Sequence, residues 1–350
     1  MDALFITAGD RTQASSRLRV YELLPHLEEA GISTESIAVP QFKSGLDGLW
    51  MRSTFASNIL WKVLRNDIVF VQKIRFPTWF TQILSKISST LIYDFDDAIH
   101  LAPPGKDVGQ DDIRQHNTLI EKSDLTIAGS RELVEYARQY TDEVKCLHTG
   151  IPRKKYEQHQ NISDLDEDSI LLGWVGNPEN LHYLSDVERE ISEVLERHDN
   201  LSLRIITAGT LPIRPFKDRE GEDVEYVEWT LDSALADLAE VDIGLRPLRD
   251  DEWTRSKGGF TSIVECLALG VPVVATPVSL VKYLIRNRDN GFLAGSPNEW
   301  GIILSNIAEN PSEIYQMSQE AIKTVSSWRF WTEDTAKGLI NIINEEIKKE

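Results

Sequence analysis

The sequence predicts an α/β protein made of two doubly wound domains in tandem. Short apolar runs alternate with segments of helical periodicity along all 350 residues, a pattern typical of βαβ units and parallel sheets. The pattern restarts at Ser169, after a polar stretch at 153–168. A chain of this length usually holds two domains of about 100–200 residues each. We therefore expect domains at 1–165 and 166–325, and a helix at 326–350 that returns to pack on the first domain.

In the first predicted domain, six apolar runs have the length of buried strands, and helical patterns fit between them. The predicted strands are 3–7, 34–39, 68–72, 91–94, 125–128 and 143–147. The predicted helices are 16–30, 57–64, 78–88 and 131–139. The stretch at 153–168 has almost no periodicity, which favours a linker.

The second predicted domain repeats the alternation. Its predicted strands are 170–175, 203–208, 224–227, 242–246 and 272–275, and its predicted helices are 181–197, 231–239 and 260–269. The tail continues as helices at 312–326 and 332–348, with Thr332 as the N-cap of the last one. Because ligands of such sheets bind at the carboxyl ends of the strands, we expect a ligand there, in a cleft between the domains.

Composition and charge exclude several classes of function. The chain has 37 basic and 56 acidic residues and a net charge of −19, so it should repel nucleic acid. No stretch approaches the roughly 18 apolar residues of a transmembrane helix, and the N-terminus lacks the basic start of a secretory leader. Cys146 and Cys266 lack the spacing of a zinc site or a disulfide framework. We expect a cytoplasmic protein in which both cysteines are buried and reduced.

The segment 41–92 departs from the acidic character of the rest. It holds seven basic residues against two acidic ones, interleaved with large aromatic residues. Basic residues among aromatics suit an anionic membrane surface or a lipid-phosphate acceptor. The alternative is a pair of amphipathic helices that bury Trp61, Trp79 and Phe80 in the core. Both interpretations stay open on the sequence.

The segment most informative for chemistry is 242–277. A predicted strand is followed there by a polar loop, and Gly258 and Gly259 open the next helix. A helix N-terminus favours a bound anion, and Arg255 and Lys257 just before it add two cations. Together these features predict a diphosphate site.

Glu265 lies about two turns along the same predicted helix, between Val264 and Cys266. From this position it can reach polyol hydroxyls such as those of a ribose. The alternative is a solvated helix glutamate. Because its neighbours are apolar, an unpaired acid would be costly here, which favours a functional role.

These motifs resemble those of a known family. The run GGF…VE…LALGVPVVATPV resembles the C-terminal signature of the retaining, GT-B-fold glycosyltransferases of family 4, or group 1. ASSRLRVYELLPHLEEAGI, LIYDFDDAIH and ILLGWVGNPENLHYL resemble segments of one subgroup. The resemblance implies two Rossmann-like domains facing a cleft, with a nucleoside-diphosphate sugar held by the second. The first would hold the acceptor, a glycan or a lipid-linked glycan. It also implies transfer with retention, without a metal or other cofactor.

The resemblance assigns the donor residues. Family members carry two glutamates, eight residues apart, that contact the donor. The second corresponds to Glu265, which would bind the ribose, and the first is replaced by Lys257, which would act as a diphosphate-binding cation. With Arg255, these residues would stabilise the departing diphosphate. Gly176 and Asn177 would lie near the donor phosphates, unless they form only a strand-to-helix turn. The remaining expected donor contacts are Gly258, Gly259, Phe260 and Thr261.

In the first domain the resemblance points to the loop before the first helix. Ser15 and Ser16 are small enough for a ligand to approach closely. Arg17 and Arg19 would clamp a phosphate of the donor or acceptor, the alternative being that they are surface arginines.

The DFDD sequence forms an acidic cluster. Asp94, Asp96 and Asp97 would repel one another unless they cap a helix, pair with arginines or bind a metal. Because the resemblance is to metal-independent enzymes, we expect the acids to face the two arginines and the acceptor, with His100 nearby.

Several alternatives to an active transferase stay open. The missing first glutamate favours a catalytically inactive homologue that binds a nucleotide sugar or a glycan. A GT-B epimerase or phosphorylase would act without a separate acceptor. Tandem α/β lobes also occur in solute-binding proteins, against which the lack of a leader counts. The expected partners are a nucleotide sugar, a glycan or lipid-linked acceptor, and the inner face of a membrane contacted through 41–92.

Overall fold

The computed structural model describes residues 1–40, 46–102, 107–160, 168–257 and 260–348. The chain divides into two compact units. The first contains Met1–Ile151, Ser256, Lys257 and residues 330–348, and the second contains Pro152–Arg255 and Phe260–Arg329. Each unit is built on one six-stranded sheet.

The strands of the first unit are β1 (Asp2–Thr7), β2 (Ser33–Ala38), β3 (Ile68–Gln72), β4 (Thr90–Phe95), β5 (Leu125–Ala128) and β6 (Val144–Cys146). They are parallel, in the order β2-β1-β3-β4-β5-β6. The helices between them are α1 (Ala14–Ser16), α2 (Leu24–Glu29), α3 (Leu46–Val63), α4 (Thr78–Ile87), α5 (Gln110–Lys122) and α6 (Arg131–Ala137). The inner strands β3 and β4 are buried throughout, as expected for a parallel sheet covered on both faces.

The second unit opens with α7 (Arg153–Glu157). Its strands are β7 (Ile170–Val175), β8 (Leu201–Thr207), β9 (Val224–Glu228), β10 (Ile243–Arg246), β11 (Val273–Ala275) and β12 (Gly291–Leu293). They are parallel, in the order β12-β11-β10-β7-β8-β9. The other helices are α8 (Leu181–Ser185), α9 (Glu188–Leu195), α10 (Ala234–Ala239), α11 (Glu252–Arg255), α12 (Thr261–Leu269), α13 (Val281–Leu284), α14 (Pro297–Glu309) and α15 (Ser312–Ser327).

The last helix, α16 (Thr332–Ile347), packs in the first unit. Its Ala336, Leu339 and Ile343 are buried in the same apolar cluster as Phe5 and Leu24. Because these positions are three and four residues apart, they share one face of the helix. None of the described helices has both the length and the apolar character needed to cross a membrane.

Two predicted helices are interrupted. The helix expected at 16–30 consists of α1, a π-helical turn at Arg17–Tyr21, and α2. In that turn the amide of Glu22 donates to the carbonyl of Arg17, five residues back. The helix expected at 181–197 is divided into α8 and α9. Helical periodicity therefore predicted that both segments are helical but did not predict these breaks.

Two expectations about single residues are wrong. The N-cap of α16 is Trp331, and Thr332 is the first helical residue, so its hydroxyl cannot cap the helix. Cys146 is exposed whereas Cys266 is buried. The reason is that Cys146 ends β6, the edge strand of its sheet.

The aromatic residues of the basic segment are divided between core and surface. Phe80 is buried, but Trp61 and Trp79 are 52% and 60% exposed. The alternative in which all three belong to the core is therefore wrong.

Candidate functional site

In each sheet the strand order reverses at one point. β1 lies between β2 and β3, and β7 lies between β8 and β10. From such a strand the crossovers leave in opposite directions and open a crevice at the carboxyl edge, where ligands of open parallel sheets bind. Each unit thus has a candidate site of its own: the β1/β3 edge in the first unit and the β7/β10 edge in the second.

A hydrogen-bonded network occupies the β1/β3 edge. Ser16 Oγ donates to Gln72 Oε1 over 3.0 Å, and Gln72 Nε2 donates to Ser15 Oγ over 2.9 Å. Ser15 Oγ donates in turn to Asp96 Oδ1 over 2.7 Å. We call the following residues the first-unit network: Ser15, Ser16, Gln72, Lys73, Asp96 and Asp97. It brings together residues that follow β1, β3 and β4.

Lys73 follows β3 in the left-handed conformation, with φ 55°. For a residue other than glycine this costs about 1–3 kcal/mol and is most often found at functional sites. Its Nζ lies 2.9 Å from Asp97 Oδ2 and 3.6 Å from Asp96 Oδ1. Burial lowers the pKa of this amine, but the two carboxylates outweigh burial and raise the pKa above its ordinary value. Lys73 is therefore a fixed positive charge between two acids.

Asp96 is ionised at neutral pH. Burial raises the pKa of its carboxyl, but Lys73, Arg19 and Ser15 together hold the pKa below its ordinary value. Gly129, just after β5, gives this segment room, because a Cβ there would lie 2.8 Å from Asp96 Cα. A fixed carboxylate of this kind accepts hydrogen bonds from ligand hydroxyls.

Arg19 and Asp94 form an ion pair in the interior of the first unit, with side chains 2% and 1% exposed. Arg19 Nε donates to Asp94 Oδ2 over 2.8 Å, and Nη2 donates to Oδ1. Arg19 Nη1 donates to Leu147 O over 2.9 Å and to Thr149 Oγ1 over 3.1 Å. Burial alone would lower the pKa of Arg19, but Asp94 raises it above its ordinary value. The guanidinium is used within the unit, so Arg19 has a structural role in place of the expected phosphate contact.

Arg17 and His100 contact residues outside the first-unit network. Arg17 Nη1 donates to the carbonyls of Arg11 and Thr12, over 3.3 and 3.4 Å, and so stabilises the loop before α1. The His100 ring stacks on Tyr136, with centroids 3.5 Å apart. Burial lowers the pKa of His100 to about 4, so this imidazole is neutral at pH 7.

At the second edge, Glu265 lies half-buried on α12 and accepts a hydrogen bond from Tyr156 Oη over 2.7 Å. The helix packs closely on β10 because Gly244 has no side chain: a Cβ there would lie 3.0 Å from Cys266 Sγ. Phe260 enters the helix in the left-handed conformation, with φ 40°. This conformation at the helix start is the local strain expected where a chain is shaped around a ligand.

Gly176 and Asn177 form the turn after β7. A Cβ on Gly176 would lie 2.8 Å from the ring of Trp174, so a larger residue would force that ring to move. The side chain of Asn177 makes no capping bond to the 3₁₀ turn that follows. Thr261, the first residue of α12, is half-buried.

The two cationic residues expected to bind a diphosphate, Arg255 and Lys257, lie in different surroundings. Arg255 is exposed, and its Nε and Nη2 donate to the side chain and the carbonyl of Asp250, over 2.7 and 3.1 Å. Lys257 is half-buried and groups with the first unit. Gly258 and Gly259 lie outside the described residues.

Comparison with known proteins connects the second unit to a family. Residues 169–310 match the family described as glycosyl transferases group 1. This match confirms the family resemblance. Among the curated proteins, no sequence matches the chain.

Solved structures extend the comparison to the whole chain. Sucrose-phosphate synthase from Thermosynechococcus elongatus is 12% identical with a TM-score of 0.76, and all of both chains is covered. A glycosyltransferase from Rickettsia africae is 13% identical with a TM-score of 0.73, over 99% of each chain. HepE from Anabaena in complex with UDP is 15% identical with a TM-score of 0.69, over 99% of this chain and all of its own. At these identities the likeness establishes the fold, and the expected GT-B fold is confirmed.

Sequence reasoning missed three residues of the candidate sites: Gln72, Lys73 and Tyr156. Gln72 ends a buried strand and Lys73 follows it, so the rule that directed attention to the acids after β4 applies equally to them. Tyr156 lies in the segment 153–168, whose composition predicts a linker. Its partner Glu265 is 109 residues away, so no local signal identifies it.

Replacing Asp94 with asparagine leaves Arg19 as a buried guanidinium without a charged partner. Breaking a buried pair from one side costs about 3–5 kcal/mol, and we expect Asp94→Asn to lower the free energy of unfolding by that order, measured by urea unfolding. Asp111→Asn is the matched control, because Asp111 and Arg114 are 76% and 67% exposed and such a pair contributes about 0–1 kcal/mol. Equal effects of the two substitutions would contradict the structural role of the buried pair.

Proposed function

We propose that the protein is a glycosyltransferase that moves a sugar from a nucleoside-diphosphate sugar to an acceptor hydroxyl of a glycan or lipid-linked glycan, with retention. The observation that carries this proposal is the group 1 match over residues 169–310, which include the β7/β10 edge and Glu265. HepE, which has the same fold, has been solved with UDP bound. The UDP complex of HepE supports the proposal that the donor of this protein is a nucleotide sugar.

On the donor side, we assign Glu265 to the ribose. A carboxylate only accepts hydrogen bonds, and the two hydroxyls of a ribose are suitable donors. The bond from Tyr156 Oη fixes the direction of the Glu265 side chain, so the acid is oriented before the nucleotide arrives. Gly176 presents backbone without a side chain beside the expected position of the phosphates.

The chemical step breaks the bond between the anomeric carbon and the diphosphate, and forms one between that carbon and the acceptor oxygen. Negative charge grows on the departing diphosphate, which then takes the proton of the acceptor hydroxyl. Stabilising this charge is the main task of the protein. We assign it to Lys257, to Arg255 and to the free backbone N–H groups at the start of α12, near Thr261. No protein nucleophile is required in this scheme.

On the acceptor side, we assign the first-unit network. Asp96 is ionised and held by Ser15 and Lys73, so it can accept a hydrogen bond from a sugar hydroxyl without moving. Lys73 also neutralises Asp97, which limits repulsion within the network. This arrangement is accompanied by a strained backbone at Lys73, and it leaves no room for a side chain at position 129.

Binding and turnover of nucleotide sugars test the proposal directly. We expect one of a panel of UDP-, GDP-, ADP- and dTDP-sugars to raise the melting temperature, and its hydrolysis or transfer to be measurable. Because cationic side chains and a helix terminus replace a metal in this scheme, activity should survive EDTA. Loss of activity in EDTA with recovery on adding manganese would contradict the metal-free site. Binding without turnover of any donor would favour the inactive homologue instead.

Asp96→Asn separates the acceptor role from the donor role. A hydrogen bond to a charged group contributes about 1.5–3 kcal/mol, so we expect kcat/KM for the acceptor to fall by about 10- to 100-fold. The Kd of the nucleoside diphosphate should stay within about twofold of the original value. The exposed Asp111→Asn serves as the control and should change neither quantity. Equal losses in nucleotide binding and in acceptor turnover would contradict the assignment.

The exposed aromatic residues of the first unit favour membrane attachment beside an acceptor. Trp61 and Leu64 are exposed at the end of α3, and Arg65 lies over the Trp61 ring, 3.8 Å from its centroid. Trp79 and Ile83 are exposed on α4, four residues apart on one helix face. Aromatic and basic side chains together suit an anionic membrane interface. We include attachment to the inner face of a membrane in the proposed function.

Vesicles of phosphatidylglycerol test this attachment by co-sedimentation. Each basic residue near an anionic surface contributes about 1 kcal/mol, so Arg65→Glu should weaken binding at low salt by at least about fivefold. Trp79→Ser should weaken it as well, because the indole is lost from the interface. Tyr283→Ser is the matched control, since Tyr283 is 71% exposed and lies in the second unit. Absence of binding at low salt would leave a soluble acceptor as the conclusion.

A further inference from the structure

Arg246, the last residue of β10, is a cation that pairs with no carboxylate of the described residues. Its Nη1 donates to the carbonyl of Val175, the last residue of β7. Its Nε is enclosed by the protein and has no hydrogen-bond partner in the described part of the chain. By contrast, Arg204, Arg219 and Arg249 of the same unit each pair with a carboxylate.

Arg246 is half-buried, and a guanidinium partly removed from water without a counter-ion is unfavourable. Burial lowers the pKa of Arg246, yet an arginine side chain does not give up its proton in proteins. A charge removed from water needs an opposite charge to offset the loss of hydration. The chain has 56 acidic residues, but none of those described pairs with Arg246. A bound anion would supply the counter-ion that the described carboxylates do not.

The position of Arg246 is one at which a ligand is expected. β7 and β10 are parallel neighbours, with Gly244 opposite Gly173. Two residues further along, Arg246 comes opposite Val175 and next to the turn at Gly176. This is the carboxyl edge at which the strand order of the second unit reverses, the usual ligand position in such sheets.

Glu265 acts on Arg246 electrostatically but does not pair with it. Cys266 and Glu265 both raise the pKa of Arg246, against the larger opposing effect of burial. The Glu265 carboxylate accepts a hydrogen bond from Tyr156 Oη. The electrostatic effect of Glu265 on Arg246 places an anion and a cation in the same region of the second unit.

We propose that Arg246 binds the diphosphate of the nucleotide donor at the β7/β10 edge. This inference rests on the proposed function, and it deepens the donor assignment. With the ribose on Glu265, the adjoining phosphates come to Arg246 and to the backbone at Gly176. One arm of the guanidinium is anchored on Val175, which orients its remaining N–H groups, and a guanidinium is well suited to the paired oxygens of a phosphate.

The test compares nucleoside diphosphates with their nucleosides on the full chain, by calorimetric titration. The probes are UDP, GDP, ADP and dTDP and the four corresponding nucleosides, and the tightest diphosphate is then used with each variant. We expect Arg246→Met to raise its Kd at least tenfold, about 1.4 kcal/mol, and to leave the Kd of the nucleoside unchanged. The melting temperature without ligand should be unchanged or higher, because an unpaired charge has been removed.

Two further variants complete the design. Arg249→Met is the matched control. Arg249 lies three residues from Arg246, is partly exposed and pairs with Asp186. The Kd of the diphosphate for this variant should equal its Kd for the original chain. Arg246→Gln keeps a polar side chain, and it replaces Arg246→Met in the comparison if the latter does not fold.

The possible results separate this inference from the proposed function. Diphosphate affinity that is unchanged in Arg246→Met or Arg246→Gln overturns the inference and leaves the proposed function intact. An equal loss for nucleoside and diphosphate also overturns it, since the effect would then not concern the phosphates. If the original chain binds none of the four diphosphates, the proposed function and the inference both fail.

Discussion

The arrangement of the first unit depends on the buried ion pair between Arg19 and Asp94. Arg19 lies in the π-helical turn that follows α1, Asp94 lies in β4, and the further bonds of Arg19 reach Leu147 and Thr149, beyond β6. One guanidinium therefore connects three separate parts of the unit. The turn that carries it directly follows Ser16, so the pair also fixes the loop from which the first-unit network is built. Because both charges are removed from water, the arrangement is stable only while each has the other.

The two units reach similar sites by the same topology. In each, the first strand of the unit lies inside the sheet, and later strands add on both sides of it. The residues of the two candidate sites lie at or just after the carboxyl ends next to that strand: Ser15 and Gln72 in one unit, Arg246 and Gly176 in the other. Most earlier positions of the same strands are apolar and buried. Parallel strands end on the same side, so residues distant in sequence are collected at one edge without any special long-range pairing.

The strands and the order of elements could be predicted from the sequence, because a buried parallel strand is a short apolar run with turn residues at its ends. The interruption of the helix at 16–30 was not predicted, because helix-forming residues continue through the π turn at Arg17–Tyr21. The positive φ of Lys73 and its ion pairs could not be predicted either, because its partners Asp96 and Asp97 come 23 and 24 residues later in the chain. Glu265 was found from its motif, but its partner Tyr156 was not, because that bond exists only in the folded chain.

The acidic composition makes the absence of a carboxylate partner of Arg246 among the described residues informative. In a chain with a net charge of −19, an arginine readily finds a carboxylate, as Arg204 and Arg219 do with two each. Arg246 has none among the described residues, although Glu265 is near enough to affect it. Glu265 accepts a hydrogen bond from the hydroxyl of Tyr156, whereas the side chain of Arg246 donates to the carbonyl of Val175. A nucleotide whose phosphates bind Arg246 would supply the counter-ion that the described carboxylates do not, and pairing this charge would contribute to the free energy of binding.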